Sequence, residues 1–243
     1  MTLSYTRAEV RRAFRNRRFF LFAVGFPLVI YLLVATPNRG VHDLDGSGIS
    51  APLYFMAGLA TLGTMNSVLA GGARISIERT IGWTRHLRAT PLRPRTYFAT
   101  KVVTGYLTAL VPLAALYSAG ISLGVDLSVS QWAGMTALML VGLLPFAALG
   151  VMLGHLVGVD ALGPAIGGTS GLLSFLGGAW FPVASGFMHD VAQALPSYWL
   201  VQSSSVALGG GGWSATGWLV VTAWTLLLGT AAVFAYRRDT ERA

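Results

Sequence analysis

Gly168-Thr169-Ser170-Gly171 sets a serine between glycines inside an apolar run, the setting an intramembrane nucleophile would need. A serine hydroxyl attacks only when a neighbouring base, most often histidine, takes its proton. The four histidines are His42, His86, His155 and His189, and none falls inside an apolar run. Asn66 stands in another run without a histidine beside it. Gly163, Gly167, Gly168 and Gly171 read more simply as small residues at helix–helix contacts. Two pairs, His155 with Asp160 and His189 with Asp190, lack the further ligands of a metal site. There is no cysteine, hence no disulfide, thiolate ligand or thiol nucleophile. A phosphate-binding G-x-x-x-x-G-K-[ST] loop is missing as well. The residues therefore predict no catalytic, cofactor or metal site in this chain.

The elements that would hold these residues are apolar helices. Of 243 residues, 54% are hydrophobic and 11% charged, against roughly 25% charged in soluble domains. Six windows reach the length of about 20 apolar residues that a bilayer crossing requires. They are Phe19–Thr36, Ala51–Ala73, Val102–Val125, Trp132–Gly154, Ala161–Pro182 and Trp213–Tyr236. None contains Asp, Glu, Lys, Arg or His. Ion-coupled carriers place such groups along their pathway, so this chain has no evident means of using an ion gradient. The first window follows a basic segment, as in a signal peptide, but no small-residue cleavage site follows it. It reads as a retained span.

The net charge of +8 would suit a nucleic-acid binder if the charge formed one patch. It does not. Sixteen of the seventeen basic residues fall before the first window, between the second and third, or after the sixth. Only Arg39 lies on the other side, together with Asp43, Asp45, Asp126 and Asp190. The positive-inside rule then puts both termini in the cytoplasm. Anionic lipid headgroups account for the basic charge, and no nucleic-acid partner is expected. Arg and Ala richness suggests a bacterial source. The expectation is a single all-α membrane domain over residues 1–243, with six transmembrane helices in the bacterial cytoplasmic membrane.

Two further segments invite a role. Ser4–Arg18 reads as an interfacial helix, with Thr6 and Glu9 at the spacing of a capping box. Tyr5, Val10, Ala13 and Phe14 would face lipid, and the arginines would reach headgroups. The linker between the second and third windows places Ile77, Ile81, Thr84 and Leu87 at helical spacing, with Arg85, His86 and Arg88 beside them. Pro91 disfavours helix at Thr90, so this short helix should end near Ala89. Pro94 suits the first turn of the next helix.

Glu78-Arg79, Gly82, Leu87, Thr90-Pro91-Leu92, Tyr97 and Lys101 resemble the same loop of type-2 ATP-binding-cassette exporter permeases, including daunorubicin-resistance-type drug exporters. Thr80 stands where that family usually carries a second acidic residue. The resemblance implies a cytoplasmic coupling helix that docks on a separate ATPase subunit. It implies that Glu78, Arg79, Ile81, Gly82, Thr84, Leu87, Arg88, Thr90 and Pro91 belong to the docking region.

On the outer side, Gly177-Gly178-Ala179-Trp180-Phe181-Pro182 and Pro196-Ser197-Tyr198-Trp199 resemble the family's turns around outer re-entrant helices. Met188, Val191, Ala192 and Leu195 have the spacing of such a helix, and the aromatics alternatively serve as interfacial anchors. The resemblance implies a permease that is not itself an enzyme, with ATP and Mg on the partner ATPase. It implies pairing with a second permease, as homodimer or heterodimer, and outward movement of a hydrophobic or amphipathic cargo such as a drug, natural product or lipid. Multidrug efflux and antibiotic resistance fall within that expectation. Lipid-linked polysaccharide export is the alternative, and a rhomboid-like serine protease built on Ser170 a remote one.

Overall fold

The computed structural model describes residues 2–44, 47–82, 94–183, 185–209 and 212–241. Among these, every regular element is a helix. They run α1 (Thr2–Phe14), α2 (Arg17–Phe20), a π-turn (Leu21–Gly25), α3 (Phe26–Ala35), α4 (Ala51–Thr80), α5 (Pro94–Ser122), α6 (Val129–Gly142), α7 (Leu144–Leu156), α8 (Val159–Leu176), α9 (Phe187–Gln193), α10 (Pro196–Val201), a 3-10 helix (Gln202–Leu208) and α11 (Ala215–Glu241).

Four stretches are long and apolar enough to cross a membrane: Ala51–Thr80, Thr96–Ser122, Val129–Leu156 and Ala215–Asp239. The other two predicted windows hold helices that are shorter or less apolar. In the first, Pro27 has no N–H for the Ala23 carbonyl, and the helix widens into the Leu21–Gly25 π-turn. The apolar helix left there, Leu21–Ala35, is shorter than a full span. In the fifth, the glycines, Pro164 and hydroxyls dilute the apolar content, and α8 stops at Leu176, before a turn at Gly177-Gly178 with Gly178 at φ +79°. The fourth window starts earlier than expected, at Val129, where Ser128 and Gln131 form a capping box. It bends at Leu143, because Pro145 donates no bond to the Val141 carbonyl.

Helix α4 is the core. It packs against α3, α5, α7 and α8, and nearly all of its residues are buried. Close approach rather than interdigitation sets much of this packing. A Cβ on Gly72 would overlap the backbone of Gly150 and Val151, and one on Gly154 would lie 2.7 Å from the Gly72 carbonyl oxygen. Its hydroxyls bond within the helix: Thr61 to Ala57 O at 2.9 Å, Thr64 to Ala60 O at 2.7 Å and Ser67 to Gly63 O at 2.9 Å.

Three local expectations are corrected. Thr6 and Glu9 do not cap a helix, because α1 already begins at Thr2 and both side chains turn toward α5. Ala13, expected to face lipid, is fully buried in protein. The coupling helix cannot run continuously from Ile77 through Leu87. Helix α4 ends at Thr80 and Gly82 takes φ +71°, a left-handed turn that stops it.

Candidate coupling site at the charged helix ends

The last turn of α4 carries two adjacent charged side chains that diverge. Successive helix residues are 100° apart, so Glu78 and Arg79 face different neighbours. Glu78 is 2% exposed. Its Oε1 accepts from Lys101 Nζ on α5, and its Oε2 accepts from the Tyr97 hydroxyl at 2.5 Å. Lys101 is fully buried and donates a second bond to Glu9 Oε1 of α1 at 2.7 Å. Its ammonium also lies 5.2 Å from the Tyr97 ring centre. Tyr5 stacks on Tyr97 with centroids 6.5 Å apart, and the Thr6 and Thr100 hydroxyls lie 3.0 Å apart. Burial, then the neighbouring Glu78 and Glu9 carboxylates, push the Tyr5 phenol well above its ordinary range. Glu78 therefore joins α4 to the start of α5 and to the N-terminal helix.

Arg79 turns the other way. Its guanidinium donates to the carbonyls of His155 (2.6 Å) and Gly154 (3.3 Å), which close α7, and pairs with Asp239 of α11 at 2.6 Å. Asp239 in turn lies 3.0 Å from His155 Nδ1. Phe98 and Tyr236 pack around the imidazole, with centroids 5.9 and 5.6 Å away. The neighbouring Ser76 hydroxyl donates to the Val157 carbonyl at 2.6 Å. Two consecutive residues thus hold two groups of helices, α1 with α5 and α7 with α11, immediately before the linker.

Of the residues expected to couple to a partner, Glu78 and Arg79 make these intramolecular ties, whereas Ile81 is 60% exposed beside Gly82. Thr84, Leu87, Arg88, Thr90 and Pro91 lie outside the described residues. His155 and Asp239 were not anticipated together. The available signal was Asp239 itself, an acid directly after Arg237-Arg238. His155 pairs with it, not with Asp160.

The residues around Gly178 and Trp199, expected on the outer side, form a separate group. Tyr54 donates to the Gly178 carbonyl, and a Cβ on Gly177 would meet the Ser197 and Tyr198 backbone at 2.8 Å. Pro196 opens α10, and buried Trp199 donates its indole N–H to Gln193 O at 2.9 Å. Trp180 and Pro182 are half-buried, while Phe181 is 67% exposed. From Tyr54 to Glu78 the α4 axis rises about 36 Å, so the two groups sit at opposite ends of the protein.

Ser170 bonds none of the described histidines. Its hydroxyl donates to Asn66 Oδ1 at 2.7 Å, an interhelical polar tie. Among the described histidines, His155 bonds Asp239 and His189 lies 2.7 Å from Gln193 Nε2. Nor do the α8 glycines meet a neighbour as expected. Cβ atoms built on Gly163, Gly167, Gly168 and Gly171 have no atom within 4 Å.

Comparison with known proteins supplies the context for this geometry. The chain is 26% identical over 196 residues to the Bacillus subtilis (strain 168) protein YvfS, which carries the name of a transport permease. The alignment covers 79% of this chain and 78% of that one. The family model described as ABC-2 type transporter matches residues 2–208. With a helical, membrane-suited architecture and its charged ties gathered at one end, the chain belongs to the ABC-2 type transporter family, the membrane permeases of ATP-binding-cassette transporters.

Proposed function

We propose that this chain is the permease subunit of an ATP-driven exporter and moves a hydrophobic or amphipathic small molecule outward. The observation that carries the reading is the divergence of Glu78 and Arg79 at the end of α4. A force delivered by an ATPase to the linker after Gly82 reaches α1 and α5 through Glu78. It reaches α7 and α11 through Arg79 in the same step. Helices Leu21–Ala35 and Val159–Leu176 join the four long ones as shorter spans, giving six, with both termini cytoplasmic and α9 and α10 re-entrant from the outer face. The bare glycine face of α8 supports pairing with a second permease, since small residues allow close helix approach in lipid. The weakly polar spans suit an apolar cargo: Ser118 and Ser122 bond their own helix, and Asn66 is tied to Ser170.

The test is co-purification with a candidate ATPase and ATP-dependent efflux from vesicles. Replacing Leu87 and Arg88 with Asp should abolish both. Arg79→Ala should leave assembly intact and lower efflux per ATP hydrolysed. Full assembly and efflux in the Leu87/Arg88 variant would overturn the reading.

A further inference from the structure

We propose that α1 and the adjoining flank of α5 form a binding site for one anionic phospholipid, with the phosphate on α1 arginines and an acyl chain along α5. At 100° per residue, α1 has three faces. Glu9 and Ala13 are buried toward the protein, with Tyr5 and Thr6 beside them. Val10 and Phe14 follow. Arg7, Arg11 and Arg15 then form one row at i, i+4 and i+8, with Arg12 next to it, and all four are exposed. Among the described residues none of the four has an ion-pair partner, in contrast to Arg79 and Lys101.

Two grooves flank this helix. One, of about 600 Å³, has Arg7, Ala8, Arg11, Arg12 and Arg15 as its lining among the described residues. The other, about 360 Å³, lies between α1 and α5 and is lined by Thr6, Thr96, Ala99, Thr100 and Val103. From its end an exposed stripe of Val103, Leu107, Leu110 and Ala114 runs along α5. That stripe rises about 17 Å, close to the roughly 15 Å depth of one leaflet. A cationic row at headgroup level, hydroxyls at the glycerol level and an apolar track of leaflet length match the three parts of one lipid. Guanidinium forks hold a phosphate, and a row of unpaired arginines favours a net-negative headgroup over a zwitterionic one, because choline adds a cation that they repel. The inference does not depend on the transport reading.

Native mass spectrometry of the full chain in detergent tests it, with phosphatidylglycerol and phosphatidylcholine of identical acyl chains as probes. Wild type should retain phosphatidylglycerol preferentially, and Arg7→Gln/Arg11→Gln/Arg15→Gln should lose that preference, weakening binding ~10- to 100-fold. The corresponding triple Lys variant should keep most of it. Val103→Ser/Leu107→Ser should weaken retention of both lipids. Thermal unfolding in lipid-free detergent should match wild type for the Gln variant. Equal retention of the two lipids by wild type, or undiminished preference in the Gln variant, would overturn the proposal. So would displacement of the lipid by excess glycerol phosphate, which would mark a free-anion site. A Gln variant that keeps its lipid but loses an ATPase subunit would also overturn it, marking a protein-docking face.

Discussion

Lys101→Met isolates the buried charge cluster at the Glu78 end of α4. The substitution keeps length and apolar bulk but removes the cation between Glu9 and Glu78, all three of which are at most 5% exposed. Two charge-assisted hydrogen bonds vanish, each contributing about 1.5–3 kcal/mol. Their sum, roughly 3–6 kcal/mol, agrees with the 3–5 kcal/mol typical of stranding a buried charge partner. Tyr97 still donates to Glu78, which holds the loss toward the lower end. The expected destabilisation is therefore about 3–4 kcal/mol, measured by SDS-induced unfolding in mixed micelles. Adding Glu78→Gln to Lys101→Met should recover at least about 1 kcal/mol, because a neutral amide no longer needs the cation. A single variant within about 0.5 kcal/mol of wild type, with strictly additive double mutants, would refute the reasoning.

Gly72→Ala should cost about 1–3 kcal/mol, since its methyl meets backbone that cannot swing aside. Gly163→Ala meets no atom within 4 Å among the described residues, so it should leave unfolding of one chain unchanged while weakening association of two copies in cross-linking. Ser170→Ala should leave efflux intact and cost about 1 kcal/mol, as Asn66 loses its donor. Tyr54→Phe should free the Gly178 carbonyl, costing about 1 kcal/mol and speeding amide exchange through the Gly177-Gly178 turn.

The helices were largely legible because a bilayer demands long apolar runs, and the charge-free windows meet that demand. What proline and glycine do inside a run was less visible. Pro27 opens a π-turn and Gly178 ends α8 early, yet both residues look permissible in a hydropathy window. The Glu78-Arg79 pair stood out as a location, but periodicity says which face a side chain occupies and not who meets it there. Glu9 fitted a local cap with Thr6, and its actual partner, Lys101, is 92 residues away. The α8 glycines carry the same limitation: small residues announce a close contact without saying whether the neighbour belongs to the same chain.

The hydroxyls of α4 bear on how the protein is made. This helix leaves the ribosome long before α5, α7 and α8 exist to cover it. Until then it must reside in lipid, where each unsatisfied polar group costs several kcal/mol. Thr61, Thr64 and Ser67 each bond a carbonyl one turn back on their own helix, so their satisfaction awaits no later segment. Asn66 waits for Ser170, and Tyr54, Ser76, Glu78 and Arg79, nearer the two ends of the helix, also meet partners synthesised afterwards. Helix α4 is thus equipped to insert alone, wait as an independent element, and become the centre of the protein once the rest of the chain is translated.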